Sequence, residues 1–209
     1  MARRPWDFQV NMLTYEEFLL RAAERGEVVN TMFEERLFAL VASLRRIADV
    51  LSSEQIPCEV IGGLAVLIHV EEANPEYSAL TRDVDLMVRR EDLDHIKDAA
   101  AKGGFRYRHA AGVHMLINMG SDHAKDTVRL IFTEERVRPD FLAENKRILG
   151  QDVSVIPVPD LVRMKLTSFR LEDQVHIKAL EAAGLITSEA ETQLTPELRM
   201  RLTQVRQTE

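Results

Sequence analysis

Two short tracts, twenty residues apart, limit what this chain can fold into. Ile61-Gly62-Gly63-Leu64-Ala65 reads as a strand that ends in a glycine turn and runs into a helix. Thr81-Arg82-Asp83-Val84-Asp85-Leu86-Met87-Val88 reads as a strand. Alternate strand residues point the same way, so Asp83 and Asp85 share one face, and Val84, Leu86 and Val88 share the other. Aspartate is a poor strand former, and two of them inside a strand need a reason. A glycine turn at a helix N-terminus can hold phosphate through backbone N–H groups. Two carboxylates at i and i+2 can hold a divalent metal between them. Together the tracts point to a site for a nucleoside triphosphate and Mg²⁺ or Mn²⁺.

Length and composition set the frame for that site. The chain has 209 residues, 45% hydrophobic and 29% charged, which is enough for one globular domain with a real core and a helical appendage. Cys58 is the single cysteine, so no intramolecular disulfide and no cysteine metal cluster can form. It reads as a buried small hydrophobe. A reducing, cytoplasmic setting is expected. No apolar run reaches the roughly 20 residues of a membrane span, and Met1-Ala2-Arg3-Arg4-Pro5-Trp6-Asp7 lacks the apolar core of a secretory signal. The net charge of −7 argues against extended duplex binding but leaves room for a local basic groove.

Residues 1–12 read as an arm, and Thr14 caps a helix that stops at Gly26. Over 31–54, Phe33, Leu37, Leu40, Leu44, Ile47 and Leu51 form a helical stripe. A strand over 58–61 precedes a helix over 64–70, a loop over 71–80 and a strand over 83–88. A helix from 90 to 102 closes at Gly103-Gly104. Strands follow at 105–109, 113–118 and 127–132, with a short one at 153–158. Helices over 160–171, 172–183 and 196–206 complete the chain. Strands alternating with helices, then helices alone, indicate a mixed α/β (α+β) sheet flanked by helices, with N-terminal helices and a helical C-terminal part. The expected division is 1–30 as arm and helix, 31–158 as core, and 159–209 as the helical region.

Gly62-Gly63 followed by Asp83-Val84-Asp85-Leu86 resembles the nucleotidyltransferase superfamily of DNA polymerase β. Within it, the likeness is to the small bacterial minimal nucleotidyltransferases and the abortive-infection toxin type. It spans about residues 35–180, and Leu161-Val162-Arg163-Met164-Lys165-Leu166 with Arg170 and Asp173 looks like the helical tail of those proteins. The resemblance implies a metal-dependent transfer of a nucleoside monophosphate from a triphosphate to a hydroxyl acceptor. Asp83 and Asp85 would carry catalysis and metal, while Gly62, Gly63 and Lys165 would bind the nucleotide. The acceptor stays open between a protein side chain, an RNA end and a small molecule. A toxin–antitoxin or phage-defence setting, with a partner protein, is a further implication.

The chain departs from that pattern in two places. Nineteen residues separate Gly63 from Asp83, where the family keeps a shorter spacer. The family also sets a third carboxylate in a later strand, yet Val128-Arg129-Leu130-Ile131-Phe132 puts Arg129 there, and Val113-His114-Met115 offers His114. Asp126, Glu134 and Glu135 flank that strand and are the substitutes to consider. A buried guanidinium needs a carboxylate, so Arg129 is expected to contact Asp83 or Asp85. This favours a rival reading: a catalytically impaired member that acts as a nucleotide-binding or partner-binding module. Lys165 has its own alternative, a stem packed in an apolar helix with its ammonium reaching water. Arg170 and Asp173 read as a helix-surface pair. Among the six histidines, none has His-Glu-x-x-His spacing, and His69 reads as a helix-packing residue.

Overall fold

A computed structural model describes residues 35–77, 81, 83–120, 127–133, 144–148 and 151–208. The expected arm over 1–12 and helix over 14–26 lie outside the described residues, as do Asp126, Glu134 and Glu135. The chain divides into two compact units, Met1–Phe38 and Ala39–Glu209, and the second holds the elements that concern function.

A first helix, α1, covers 35–53. It follows the apolar stripe, and Leu44, Ile47 and Leu51 are fully buried. Each such side chain contributes about 1.5–3 kcal/mol of burial. Strand β1 (Glu59–Ile61) feeds α2 (Gly62–Ala73), and β2 (Val84–Val88) leads through a 3₁₀ turn into α3 (Leu93–Lys102). Strands β3 (Phe105–Ala110), β4 (Val113–Asn118), β5 (Thr127–Phe132), β6 (Glu144–Ile148) and β7 (Gln151–Val155) follow. Helices α4 (Val158–Ser168), α5 (Leu171–Ala182), α6 (Ser188–Thr192) and α7 (Pro196–Gln207) end the chain.

The seven strands form one mixed sheet in the order β3-β4-β5-β2-β1-β7-β6. The pairs β2–β5 and β1–β7 are parallel, and the other neighbours run antiparallel. One face carries Val84, Leu86, Val88, Leu116, Val128, Leu130 and Phe132, all nearly inaccessible. Arg46 of α1 lies over the Phe105 ring, and Lys97 of α3 lies over Tyr107, so these helices belong to that side. The opposite face carries Asp85, Arg129 and Met115 in one row.

Several expected boundaries move. The helix expected over 64–70 starts at Gly62 and runs to Ala73, because Asn74 N–H still reaches the Val70 carbonyl at 2.7 Å. The expected loop over 71–80 is therefore helix in its first three residues, followed by a 3₁₀ turn at Pro75–Tyr77. Strand β6 was not expected, since Glu144-Asn145-Lys146-Arg147-Ile148 shows no apolar alternation; among the described residues it is an edge strand paired with β7. Helix α4 ends at Ser168 instead of 171 because Phe169 turns to φ +53° and Arg170 is extended. Helix α6 was also not expected.

Candidate active site

The site grows from the meeting of β1 and β2. Their antiparallel register sets Ile61 opposite Asp85, so the chain leaving β1 turns into α2 directly beside the acid pair. Gly62 makes that turn at φ +74°, in the left-handed region glycine favours. A Cβ on Gly62 would run into the Asp85 carboxylate, and one on Gly63 would sit 2.6 Å from Thr81 Oγ1 and 3.1 Å from His176 Cε1. Both glycines are therefore required by close approach. They open α2, whose first N–H groups have no partner within the helix.

Around this point lies a cleft of about 830 Å³. The sheet supplies Asp83, Asp85 and Arg129, α2 supplies Gly62 and Gly63, and α4 and α5 close it with Lys165, Asp173 and His176. Asp85 is almost buried, whereas the Asp83 side chain is 41% exposed.

Arg129 holds the acid pair. Parallel pairing of β2 and β5 sets it directly opposite Asp85. Its Nε donates to Asp85 Oδ1 at 2.5 Å and its Nη2 to Asp85 Oδ2 at 2.9 Å, a fork on both carboxylate oxygens. Nη2 is also 3.4 Å from Asp83 Oδ2. Burial works against the charged guanidinium, but the hydrogen bond and charge of Asp85, with the charges of Asp83 and Glu172, raise its pKa above the usual arginine value.

A second ion cluster braces the α4–α5 corner. Lys165 Nζ donates to Asp173 Oδ1 at 2.8 Å, and both side chains are buried. Asp173 Oδ2 accepts from Ser168 Oγ, from Arg170 N at 3.2 Å and from Arg170 Nε at 3.0 Å. Burial alone would raise this carboxyl, but the hydrogen bonds from Lys165 and Ser168, with the Lys165 charge and Arg170, bring its pKa down to about 2. The expectation of a surface pair is corrected here: Arg170 is exposed, but Asp173 is the buried capping residue of α5. The ammonium of Lys165 does not reach water as its packing alternative expected; it is inside, paired with Asp173, on the wall of the cleft.

His114 does not reach the cleft. It pairs with Leu130 across β4–β5, on the face opposite Asp85. There it stacks on His109 with ring centroids 4.0 Å apart and bonds Tyr107 Oη at 2.6 Å through Nδ1. His69 packs as expected, 3% exposed, with Nε2 2.7 Å from the Ile156 carbonyl. Cys58 is not fully buried by side-chain exposure, yet desolvation pushes its thiol up to about 11, so it stays protonated and unreactive. Thr81 and His176 were missed as cleft residues. Thr81 shares the two-residue alternation of Asp83 and Asp85, and His176 lies three residues beyond Asp173 on one helix face, so both carried a periodic signal.

No protein-family model and no curated protein sequence matches the chain. Solved structures do. The antibiotic-resistance factor ANT(2'')-Ia, solved in complex with adenylyl-2''-tobramycin, is similar at 14% identity with a TM-score of 0.51, covering 79% of this chain and 96% of that one. The Megavirus polyadenylate synthase is similar at 11% identity with a TM-score of 0.60, covering 90% of this chain and 41% of that one. An antigenic nucleotidyltransferase-like protein from Paracoccidioides brasiliensis is similar at 18% identity with a TM-score of 0.55, covering 81% of this chain and 87% of that one. The chain has the nucleotidyltransferase fold.

Proposed function

We propose that this chain is a nucleotidyltransferase that moves a nucleoside monophosphate from a nucleoside triphosphate to a hydroxyl acceptor. The observation that carries the reading is the turn at Gly62-Gly63, which sets the N-terminus of α2 beside the Asp85 carboxylate in the cleft. The first N–H groups of a helix suit phosphates. The acceptor oxygen would attack the α-phosphorus, pyrophosphate would leave, and the hydroxyl proton would pass to Asp83, the more exposed acid. Arg129 would offset the charge that develops at phosphorus.

The metal expected on Asp83 and Asp85 meets an obstacle. Arg129 takes both oxygens of Asp85 and stands in register where a third acid belongs. Among the described residues no cluster of three His, Cys, Asp or Glu side chains could hold a metal. The donor set does not fit Mg²⁺ or Mn²⁺ in this arrangement. Metal dependence thus rests on the acid pair alone, a toxin–antitoxin setting on the sequence resemblance alone, and a cytoplasmic location on the cysteine usage alone. No helix among the described residues is long and apolar enough to cross a membrane.

The same arginine favours a second reading, a binding module that retains the nucleotide cleft without transfer. Incubation with labelled ATP, CTP, GTP and UTP, with and without Mg²⁺ or Mn²⁺, and with a whole-cell extract as acceptor source separates the two. Label transfer that disappears in Asp83→Asn supports the transferase. Nucleotide binding without transfer supports the module, and absence of both overturns the site.

A further inference from the structure

We propose that the Asp85 carboxylate is a built-in plug: it occupies the anion position of the cleft, and a phosphate group binds there only by displacing it. The inference rests on the nucleotide cleft of the proposed function and adds how that cleft is held shut.

Two separate contacts place Asp85 in that position. The first is with α2. This helix opens after Ile61 with no side-chain cap and no acid in its first turn. A helix N-terminus carries partial positive charge and favours an anion. Here the anion comes from the neighbouring strand. Register sets Asp85 opposite Ile61, and Asp85 Oδ2 is the atom nearest to where a Gly62 Cβ would stand. The bare Cα of Gly62 therefore makes room for this carboxylate. The second contact is with Arg129, whose guanidinium forks onto both Asp85 oxygens. A guanidinium takes a carboxylate or a phosphate in the same two-pronged geometry. Helix terminus and arginine thus converge on one compact anion, and Asp85 is that anion at rest.

Among the described cations that line the cleft, Arg129 is the one placed to exchange its partner. Lys165 is buried with Asp173, and that pair fixes the α4–α5 corner. Arg170 is exposed and held outward on Glu172 and Asp173. Arg129 is half-buried and borders the cleft, beside the helix terminus. Asp83 Oδ2 lies 3.4 Å from its Nη2, so the guanidinium keeps one acid neighbour when Asp85 swings away.

Charge and shape set the ligand class. Asp83 and Asp85 put two negative charges against the single charge of Arg129, so a further anion is repelled while both acids stay in place. The occupant has to match the fork and the helix terminus at once. Two oxygens of one phosphate group do this, and an anion with a single acceptor atom does not. The phosphate also has to shift the plug. With the open form at about a tenth of the population or less, apparent affinity falls by about tenfold or more. Neutralising the plug should restore that factor, and only while Arg129 is present to receive the phosphate.

The test measures binding, apart from transfer. Pyrophosphate and ATP are titrated in EDTA by calorimetry into wild type, Asp85→Asn, Arg129→Ala, the double variant and Asp83→Asn. Asp85→Asn should bind both ligands about tenfold or more tightly than wild type. The gain should vanish in the double variant, since the two residues act as one unit. Asp83→Asn removes a neighbouring charge without opening the fork and should gain clearly less. No gain in Asp85→Asn, the same gain without Arg129, or an equal gain in Asp83→Asn would overturn the plug. A second measurement needs no altered acid. In wild type, the Arg129 Nε–H resonance, assigned by its loss in Arg129→Ala, should move as pyrophosphate saturates the site, and a resonance that stays in place would equally overturn it. An ATP-induced rise in melting temperature and the label-transfer assay read the nucleotide cleft and the transferase independently. Both intact, alongside no gain in Asp85→Asn, would sink the plug and leave the transferase standing. The full gain without any transfer would do the reverse, and no binding in any of the five proteins would sink plug and cleft together.

Discussion

Replacing Asp173 by asparagine keeps the shape of the α4–α5 corner and removes its charge. The carboxyl, 1% exposed, sits at about 2 against a usual 3.8. At about 1.4 kcal/mol per unit, the ionised form contributes roughly 2–3 kcal/mol relative to the neutral one. The variant also leaves the buried Lys165 ammonium without its counter-charge, a loss of about 3–5 kcal/mol in comparable buried pairs. A destabilisation of about 3 kcal/mol at neutral pH is therefore expected. The folded pKa is depressed, so the contribution is complete above the unfolded value of 3.8 and fades as pH falls toward 2. By pH 3 roughly half of the ionisation part should be gone. Urea unfolding of both proteins from neutral pH down to pH 3 checks this. A gap below about 1 kcal/mol at neutral pH, or one that stays constant on acidification, would refute the reasoning. Lys165→Met combined with Asp173→Leu should recover much of the loss, because it removes both charges.

Three further outcomes follow from the cleft and from the helix α2 that opens beside it. Gly62→Ala should lose about 1–2 kcal/mol for its left-handed backbone and abolish the ATP-induced rise in melting temperature, since its Cβ collides with Asp85. Arg129→Asp adds a third carboxylate in register with Asp85 and removes the guanidinium, so calorimetry should show Mn²⁺ binding well above wild type; equal heats would mean that Arg129 does not exclude the ion. His69→Leu should cost about 1–3 kcal/mol in urea unfolding by stranding the Ile156 carbonyl between α2 and β7, and an unchanged midpoint would show that this bond contributes nothing.

Much of the fold was legible because periodicity and punctuation agreed. The apolar stripe marked α1, alternation marked β2 to β5, and Gly103 marked the end of α3. Burial confirms why: the alternating residues of β5 are the ones out of water. Strand β6 was hidden because an edge strand can form from Glu144-Asn145-Lys146 through backbone pairing alone. The approach of Arg129 to the acids was legible by valence, since an inward guanidinium needs a carboxylate. Its register opposite Asp85 was not, because parallel pairing of β2 with β5 joins segments more than forty residues apart. His114 was misplaced by one step of alternation, which in a strand is a whole face. Lys165 and Asp173 were hidden for a different reason: burial of a charged pair depends on where α5 packs, and neither helix records its neighbour.

The corner between α4 and α5 is fastened from far along the chain. Arg201, on α7, donates to the carbonyls of Leu166 at 2.8 Å and Thr167 at 2.9 Å, and its guanidinium lies 5.3 Å from the Phe169 ring. These are the open carbonyls at the end of α4, next to the left-handed Phe169 that aims α5 at Lys165. During synthesis the sheet strands, the glycine turn and both aspartates emerge well before residue 201. The wall carrying Lys165, Asp173 and His176 lacks this Arg201 clasp until α7 has left the ribosome. The nascent chain therefore passes through an interval in which the Lys165–Asp173 pair holds that corner without the clasp, and gains it only when α7 docks.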